Sequence, residues 1–192
     1  MIPKSVEILN SLRGQLLVAM PHMDDPRFKQ AVIMMCQSDK ETAMGLMLNK
    51  IVPDMDLNKL RSKLKLKRAF FDGEEPVYQG GPVESGRGFV LHSSDQMLPD
   101  SLPIGEELAM SVQISMINEI AAGTGPKYHR IMLGYAGWDK GQIEKELRDG
   151  MWFHISATSH LIFETPVEDL WKRCYHEAGF DAARLSPQAG SA

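Results

Sequence analysis

Three short, almost wholly apolar runs constrain this chain more than any other feature: residues 15–20 (Gln-Leu-Leu-Val-Ala-Met), 31–36 (Ala-Val-Ile-Met-Met-Cys) and 45–49. Runs this short and this apolar suit strands covered on both faces. Further strands are expected at 76–83, 88–92, 108–112, 128–135, 151–155 and 161–163, and helices at 54–66, 114–122, 140–149 and 165–178. Residues 99–105 read as loop. Asp56 is the expected cap of the first helix, with Leu57, Leu60 and Leu64 on one face. Its end alternates Lys and Leu over 63–67, a pattern that also suits extended chain. Asp139 with Gln142, and Thr165 with Pro166 and Glu168, have the spacing of capping boxes. Gly123, Gly150 and Gly179 stand where helices stop.

A chain of 192 residues reads as a single domain over 1–192, with 1–10 and 181–192 as poorly ordered ends. Its formal charge of −4 gives no reason to expect a polyanion partner for the whole surface. Six basic residues nevertheless cluster without an acid between them: Lys59, Arg61, Lys63, Lys65, Lys67 and Arg68. They are candidates for nucleic-acid contact; the competing reading is a solvated helix face. Cys36 and Cys174 have no CxxC or zinc spacing around them, which suits free thiols in a reducing cytosol. The first ten residues lack a signal-peptide layout, and no apolar run is long enough for a membrane-spanning helix.

Two glycine-rich segments are the candidate ligand sites. The first, residues 134–142 (Gly-Tyr-Ala-Gly-Trp-Asp-Lys-Gly-Gln), reads as a strand, a turn and a helix start. Backbone N–H groups at such a place bind phosphate or carboxylate, and Lys140 would add a countercharge. The bland alternative is a tight corner packed by Trp138. The second segment holds Gly80, Gly81, Glu84 and Arg87, where Arg87 is either an anion ligand or a surface partner of Glu84. The candidate ligand set is therefore Arg13, Tyr78, Gly80, Gly81, Arg87, Tyr135, Gly137, Trp138 and Lys140. Neither segment matches the phosphate loop or the dinucleotide fingerprint, and no GxSxG or HExxH occurs. His22, Asp24 and Asp25 between two prolines read as a plain turn rather than a metal site. His92, His154 and His160 read as structural histidines, and both cysteines as buried and inert.

Five motifs in order carry a resemblance. They are Arg13-Gly14-Gln15-Leu16-Leu17-Val18-Ala19-Met20-Pro21 with Asp25-Pro26-Arg27-Phe28; Ala43-Met44-Gly45-Leu46-Met47-Leu48-Asn49; Gly80-Gly81-Pro82-Val83; Arg87-Gly88-Phe89-Val90-Leu91-His92; and Gly134-Tyr135-Ala136-Gly137-Trp138 with Gly141-Gln142-Ile143-Glu144. Together they resemble the AlgH/YqgE family of bacterial proteins over nearly the whole chain. The resemblance implies an α/β (α+β) fold with a complex mixed sheet, bifurcated and partly closed into a small barrel, flanked by helices. It implies a cytoplasmic protein; it carries the label of a transcriptional regulator but implies no established activity, and it supplies no catalytic residues. Gln37 and Ser38 stand where the family often has an acidic residue and a histidine, and Gly150 where it usually has asparagine. The resulting expectation is a non-enzymatic regulatory protein working on a protein partner or DNA, with no cofactor, no metal and no membrane, its oligomeric state open. The alternative is a small-molecule or anion-binding domain, with or without enzyme activity, built on residues 80–88 and 134–142.

Overall fold

The sheet is organised around one long strand whose edge is shared by two partners. A computed structural model describes residues 12–39, 41–65 and 75–180. The expected loose ends, 1–10 and 181–192, and the candidates Lys67 and Arg68 lie outside the described residues. The strands are β1 (Gln15–Ala19), β2 (Val32–Ser38), β3 (Thr42–Met47), β4 (Ile51–Asp56), β5 (Pro76–Gln79), β6 (Val83–Ser93), β7 (Leu102–Ile104), β8 (Leu108–Ser111), β9 (His129–Asp139) and β10 (Trp152–Ser156). The helices are α1 (Leu57–Lys63), α2 (Ile114–Ala122), α3 (Gln142–Arg148), α4 (Ser159–Phe163) and α5 (Leu170–Glu177).

The main path through the ten-stranded sheet runs β10-β1-β2-β3-β9-β6-β8-β7. One edge of β9 pairs antiparallel with β6, from His129 opposite His92 to Tyr135 opposite Val83. The other edge is divided. Its first half pairs parallel with β5 over residues 131–133. Its second half pairs antiparallel with β3, with Ala136 opposite Gly45 and Asp139 opposite Thr42. The sheet therefore forks beside Gly134. At the fork the backbones come too close for any side chain: a Cβ on Gly80 would sit 2.2 Å from the Gly134 carbonyl oxygen, and one on Gly134 would sit 2.5 Å from that of Gly81. The Gly80 N–H donates to Leu133 O, and its own carbonyl accepts the Met47 N–H, so this residue stitches β9 to β3.

Alternation along the strands divides the interior into three cores. The inside of the curled sheet holds Leu16, Met34, Phe89, Leu91 and Met132, closed by Leu161 and Ile162 of α4 and by Leu170, Trp171 and Tyr175 of α5. Trp171 Nε1 and Tyr175 Oη both donate to Ala19 O, which fixes α5 on the end of β1. The opposite face of β1–β3 packs Leu17, Ile33, Met35 and Met47 under Ile143 of α3, with Trp138 and Trp152. The opposite face of β5, β6 and β9 packs Val77, Val90 and Ile131 against α1 and α2. Arg13, just before β1, donates to the carbonyl of Pro103 in β7, so the two ends of the path approach each other. The expected bifurcated, partly closed mixed sheet flanked by helices is thus the observed architecture.

Local readings differ in several places. Residues 161–163 are the end of α4, not a strand; Thr158 caps that helix, accepting the Leu161 N–H at 3.2 Å. The last helix starts at Leu170, because a turn closed by Asp169 N–H to Pro166 O at 3.0 Å takes up the residues of the expected capping box. Residues 54–56 extend β4, and Asp56 then caps α1 as expected, accepting the Lys59 N–H at 2.8 Å. Residues 102–104, read as loop, form β7 at the sheet's edge.

Candidate functional site

The segment 134–142 is not a glycine-rich turn. β9 continues through it to Asp139, because Gly134 serves the fork and the residues beyond it pair with β3. The turn is confined to Lys140 and Gly141, and Gly141, with φ of 77°, precedes α3 without any side-chain cap. Only the return half of the expected capping box forms: the Asp139 N–H donates to Gln142 Oε1 at 3.1 Å. Trp138 is buried. Its Nε1 donates to Glu146 Oε2 at 2.9 Å, and Trp152 Nε1 donates to the same oxygen at 2.8 Å. The two indoles meet edge to face at 6.2 Å, and Gln142 Nε2 holds the other carboxylate oxygen at 2.9 Å.

Beside Trp138 an open cleft of about 630 Å³ lies across β3, β9, β6 and β8. Phe89, Met110 and Met44 give it an apolar lining, and Val83, Leu102 and Val112 are large apolar side chains exposed along it. Gln37, Thr42, Asp139 and Gln142 supply polar groups at the β3–α3 side. Arg87 and Tyr135 supply a cation and a hydroxyl. Arg87 lies over the Phe89 ring at 5.3 Å, and Phe89 meets Tyr135 edge-on at 5.9 Å. Both polar tips turn to one carboxylate: Arg87 Nη1 donates to Glu84 Oε2 and Tyr135 Oη to Glu84 Oε1, each at 3.3 Å. Burial, and then the charge of Glu84, push the Tyr135 phenol above its usual range.

The cleft brings together Arg87, Tyr135, Gly137 and Trp138 from the nine expected ligand residues. The other five are placed elsewhere. Arg13 is spent on Pro103 O. Tyr78 is buried beneath the guanidinium of Arg130, 4.9 Å from its ring centre. Gly80 and Gly81 belong to the backbone crossing at the fork. Lys140 pairs with Glu41 at 2.9 Å on the open surface. The basic stretch is also divided. Lys59 donates to Asp54 O at 3.0 Å, Arg61 is buried, and Lys63 and Lys65 are exposed.

Burial pushes both thiols, Cys36 and Cys174, up to about 12, so neither is a thiolate near neutrality. Asp25 makes a turn with Arg27, whose Nη2 it meets at 2.6 Å. Among the described residues no group of three or more His, Cys, Asp or Glu side chains is placed to hold a metal ion, and no helix is long and apolar enough to cross a membrane.

A family model described as AlgH-like matches residues 16–183. The chain belongs to the AlgH-like family. A UPF0301 protein of Nitrobacter hamburgensis is 42% identical over 189 residues, covering 94% of this chain and 88% of that protein. Another, from Jannaschia sp., is 40% identical over 193 residues and covers 97% and 98%. The solution structure of the AlgH protein from Pseudomonas aeruginosa matches with a TM-score of 0.77 at 39% identity, over 94% of this chain and 96% of that one. A crystal structure of a Corynebacterium diphtheriae protein shares the fold, with a TM-score of 0.71 at 19% identity.

This AlgH-like chain also pairs groups that its sequence does not advertise. His129 Nε2 meets Glu75 Oε1 at 2.8 Å beside a small opening of about 140 Å³. Burial alone would lower the His129 pKa, but the hydrogen bond and charge of Glu75 outweigh it and the net shift is upward. His92, opposite it across the strands, is fully buried between Ser93 O at 2.9 Å and Ser111 Oγ at 3.0 Å. Burial holds its pKa below the usual value. Glu75 and His129 stand far apart in sequence with no spacing motif, and only the pairing of β5 with β9 brings them together.

Proposed function

We propose that this AlgH-like protein acts by binding, as a regulatory interaction protein of the bacterial cytoplasm, and that a partner protein seats an apolar segment in the cleft beside Trp138. The observation that carries the reading is the run of exposed apolar side chains along the cleft: Leu102 at 51%, Val112 at 39% and Val83 at 37% exposure, contributed by β7, the residue just after β8, and β6. Such a contiguous apolar surface, lying beside the polar groups of β3 and α3, is what a protein partner covers. A photo-crosslinking residue placed at Leu102 in living cells tests it. A discrete protein adduct is expected from position 102 and none from Lys145, which is exposed on α3. Absence of an adduct at 102 would sink the reading.

Regulation of transcription, the finer role suggested by the AlgH likeness, enters this proposal through the protein partner. Arg61 is buried and Lys59, though exposed, is tied to Asp54 O and Asp56, which leaves Lys63 and Lys65 as the other exposed cations of the described basic stretch. Two phosphate contacts give only a shallow salt dependence, a slope of about −2, and weak binding. No mobility shift of duplex DNA is expected at low salt. A shift that Lys63→Ala and Lys65→Ala abolish would restore direct DNA contact.

A further inference from the structure

We infer that the segment docked in the cleft carries a carboxylate, which takes the place that Glu84 now fills on Arg87 and Tyr135. The inference rests on the cleft being the docking surface and names the chemistry of the partner that fits it.

Arg87 and Tyr135 both also touch the ring of Phe89 in the apolar lining, contacts that do not involve Glu84. Their donor groups converge on a single carboxylate site. Glu84 fills that site poorly. Both of its bonds are 3.3 Å, at the long limit of hydrogen bonding. The Arg87 and Glu84 side chains are 51% and 50% exposed, and a pair so open to water holds weakly. Glu84 also sits at φ of 45°, in the left-handed region that side chains disfavour, where the pairing of β6 with β9 breaks register.

A partner's Asp or Glu would meet the same donors under better conditions. Apolar neighbours lying on Val83 and Leu102 would exclude water around it, and a charge-assisted bond strengthens as water leaves. The guanidinium fork of Arg87 can then donate to two carboxylate oxygens side by side. The apolar rim spreads over β6, β7 and Val112 just after β8, wider than the donor pair itself, which favours a peptide segment over a small acid. The matching motif is one acidic side chain flanked by bulky apolar ones.

The test is selection of a random peptide library against the wild-type chain, with affinities of enriched peptides read by fluorescence polarisation. Enriched peptides are expected to combine Asp or Glu with large apolar residues and to lose binding to Leu102→Asp. Replacing the peptide's acid by its amide should weaken binding about five- to ten-fold, the discounted worth of a partly exposed charge-assisted bond. Arg87→Met should erase that difference, and Glu84→Gln should tighten the acidic peptide while leaving the amide peptide unchanged. Thermal melts confirm that each variant is folded. If acid and amide peptides bind the wild type alike, the carboxylate inference is overturned and the docking reading stands. If no peptide is enriched, or Leu102→Asp binds the enriched peptides as well as the wild type does, the docking reading falls and this inference with it.

Discussion

Glu146 offers the sharpest test of how the region around β9 is held. One of its carboxylate oxygens accepts both indole N–H groups, from Trp138 and Trp152, each only 4% exposed. Glu146→Ala removes the acceptor and leaves two buried donors unpaired. A buried unpaired donor costs about 1–3 kcal/mol. Glu146 itself is only half-buried, so water can relieve part of that, and the lower half of the range applies, about 2–4 kcal/mol in total. For a chain of this size the loss corresponds to a fall in melting temperature of roughly 6–12 °C. Glu146→Gln keeps an oxygen for the indoles but loses the charge that strengthens both bonds, a cost of about 1 kcal/mol. The assay is urea unfolding followed by tryptophan fluorescence, with the two indole N–H resonances watched by NMR. Trp152→Phe should reduce the cost of Glu146→Ala, because one of the two donors is already gone. The reasoning fails if Glu146→Ala costs less than Glu146→Gln, or if the alanine variant costs the same with and without Trp152.

The paired histidines give pH effects of opposite sign. His129 has a raised folded-state pKa, so its contribution is complete below about pH 6.5, the unfolded value, and is lost as pH rises through the folded value. His92 has a lowered one, so stability is lost as pH falls below about 6.5. Urea midpoints across pH should show the cost of His129→Gln shrinking toward alkaline pH; a constant cost contradicts the pairing with Glu75. At the fork, Gly80→Ala should cost more than about 3 kcal/mol or prevent folding. Gly88→Ala, whose Cβ meets nothing within 4 Å, should stay within about 0.5 kcal/mol, and equal effects would refute the close approach. Ellman's reagent should find no reactive thiol in the native chain and both cysteines after denaturation; rapid native labelling of Cys36 would contradict its burial.

The three apolar runs were readable as strands because burial on both faces leaves no polar residue to confuse the pattern. The fork was not, since it is a property of backbones. Gly80, Gly81 and Gly134 announce that something comes close but not that they approach each other, and glycines inside a strand look like a turn. The run Leu161-Ile162-Phe163 is too short for periodicity to separate helix from strand, and Thr158 decides it by capping. Thr165, Pro166 and Glu168 show the reverse case, a local helix signal overruled by a turn. In the cleft, Arg87 and Tyr135 were visible as residue types. Their meeting on Glu84 depends on the pairing of β6 with β9, which no spacing in the chain encodes.

The fork has a consequence for synthesis. All the partners of β9, namely β3, β5 and β6, precede it in the chain. A nascent polypeptide that ends before His129 therefore carries the flanking strands of the sheet without the one that joins them. Chains emerge from the ribosome N-terminus first, so those open strand edges face the cell until the last third of the sequence is made. Unpaired edges invite pairing with other chains. The strand that pairs with both halves is thus the last of the joined set to be made.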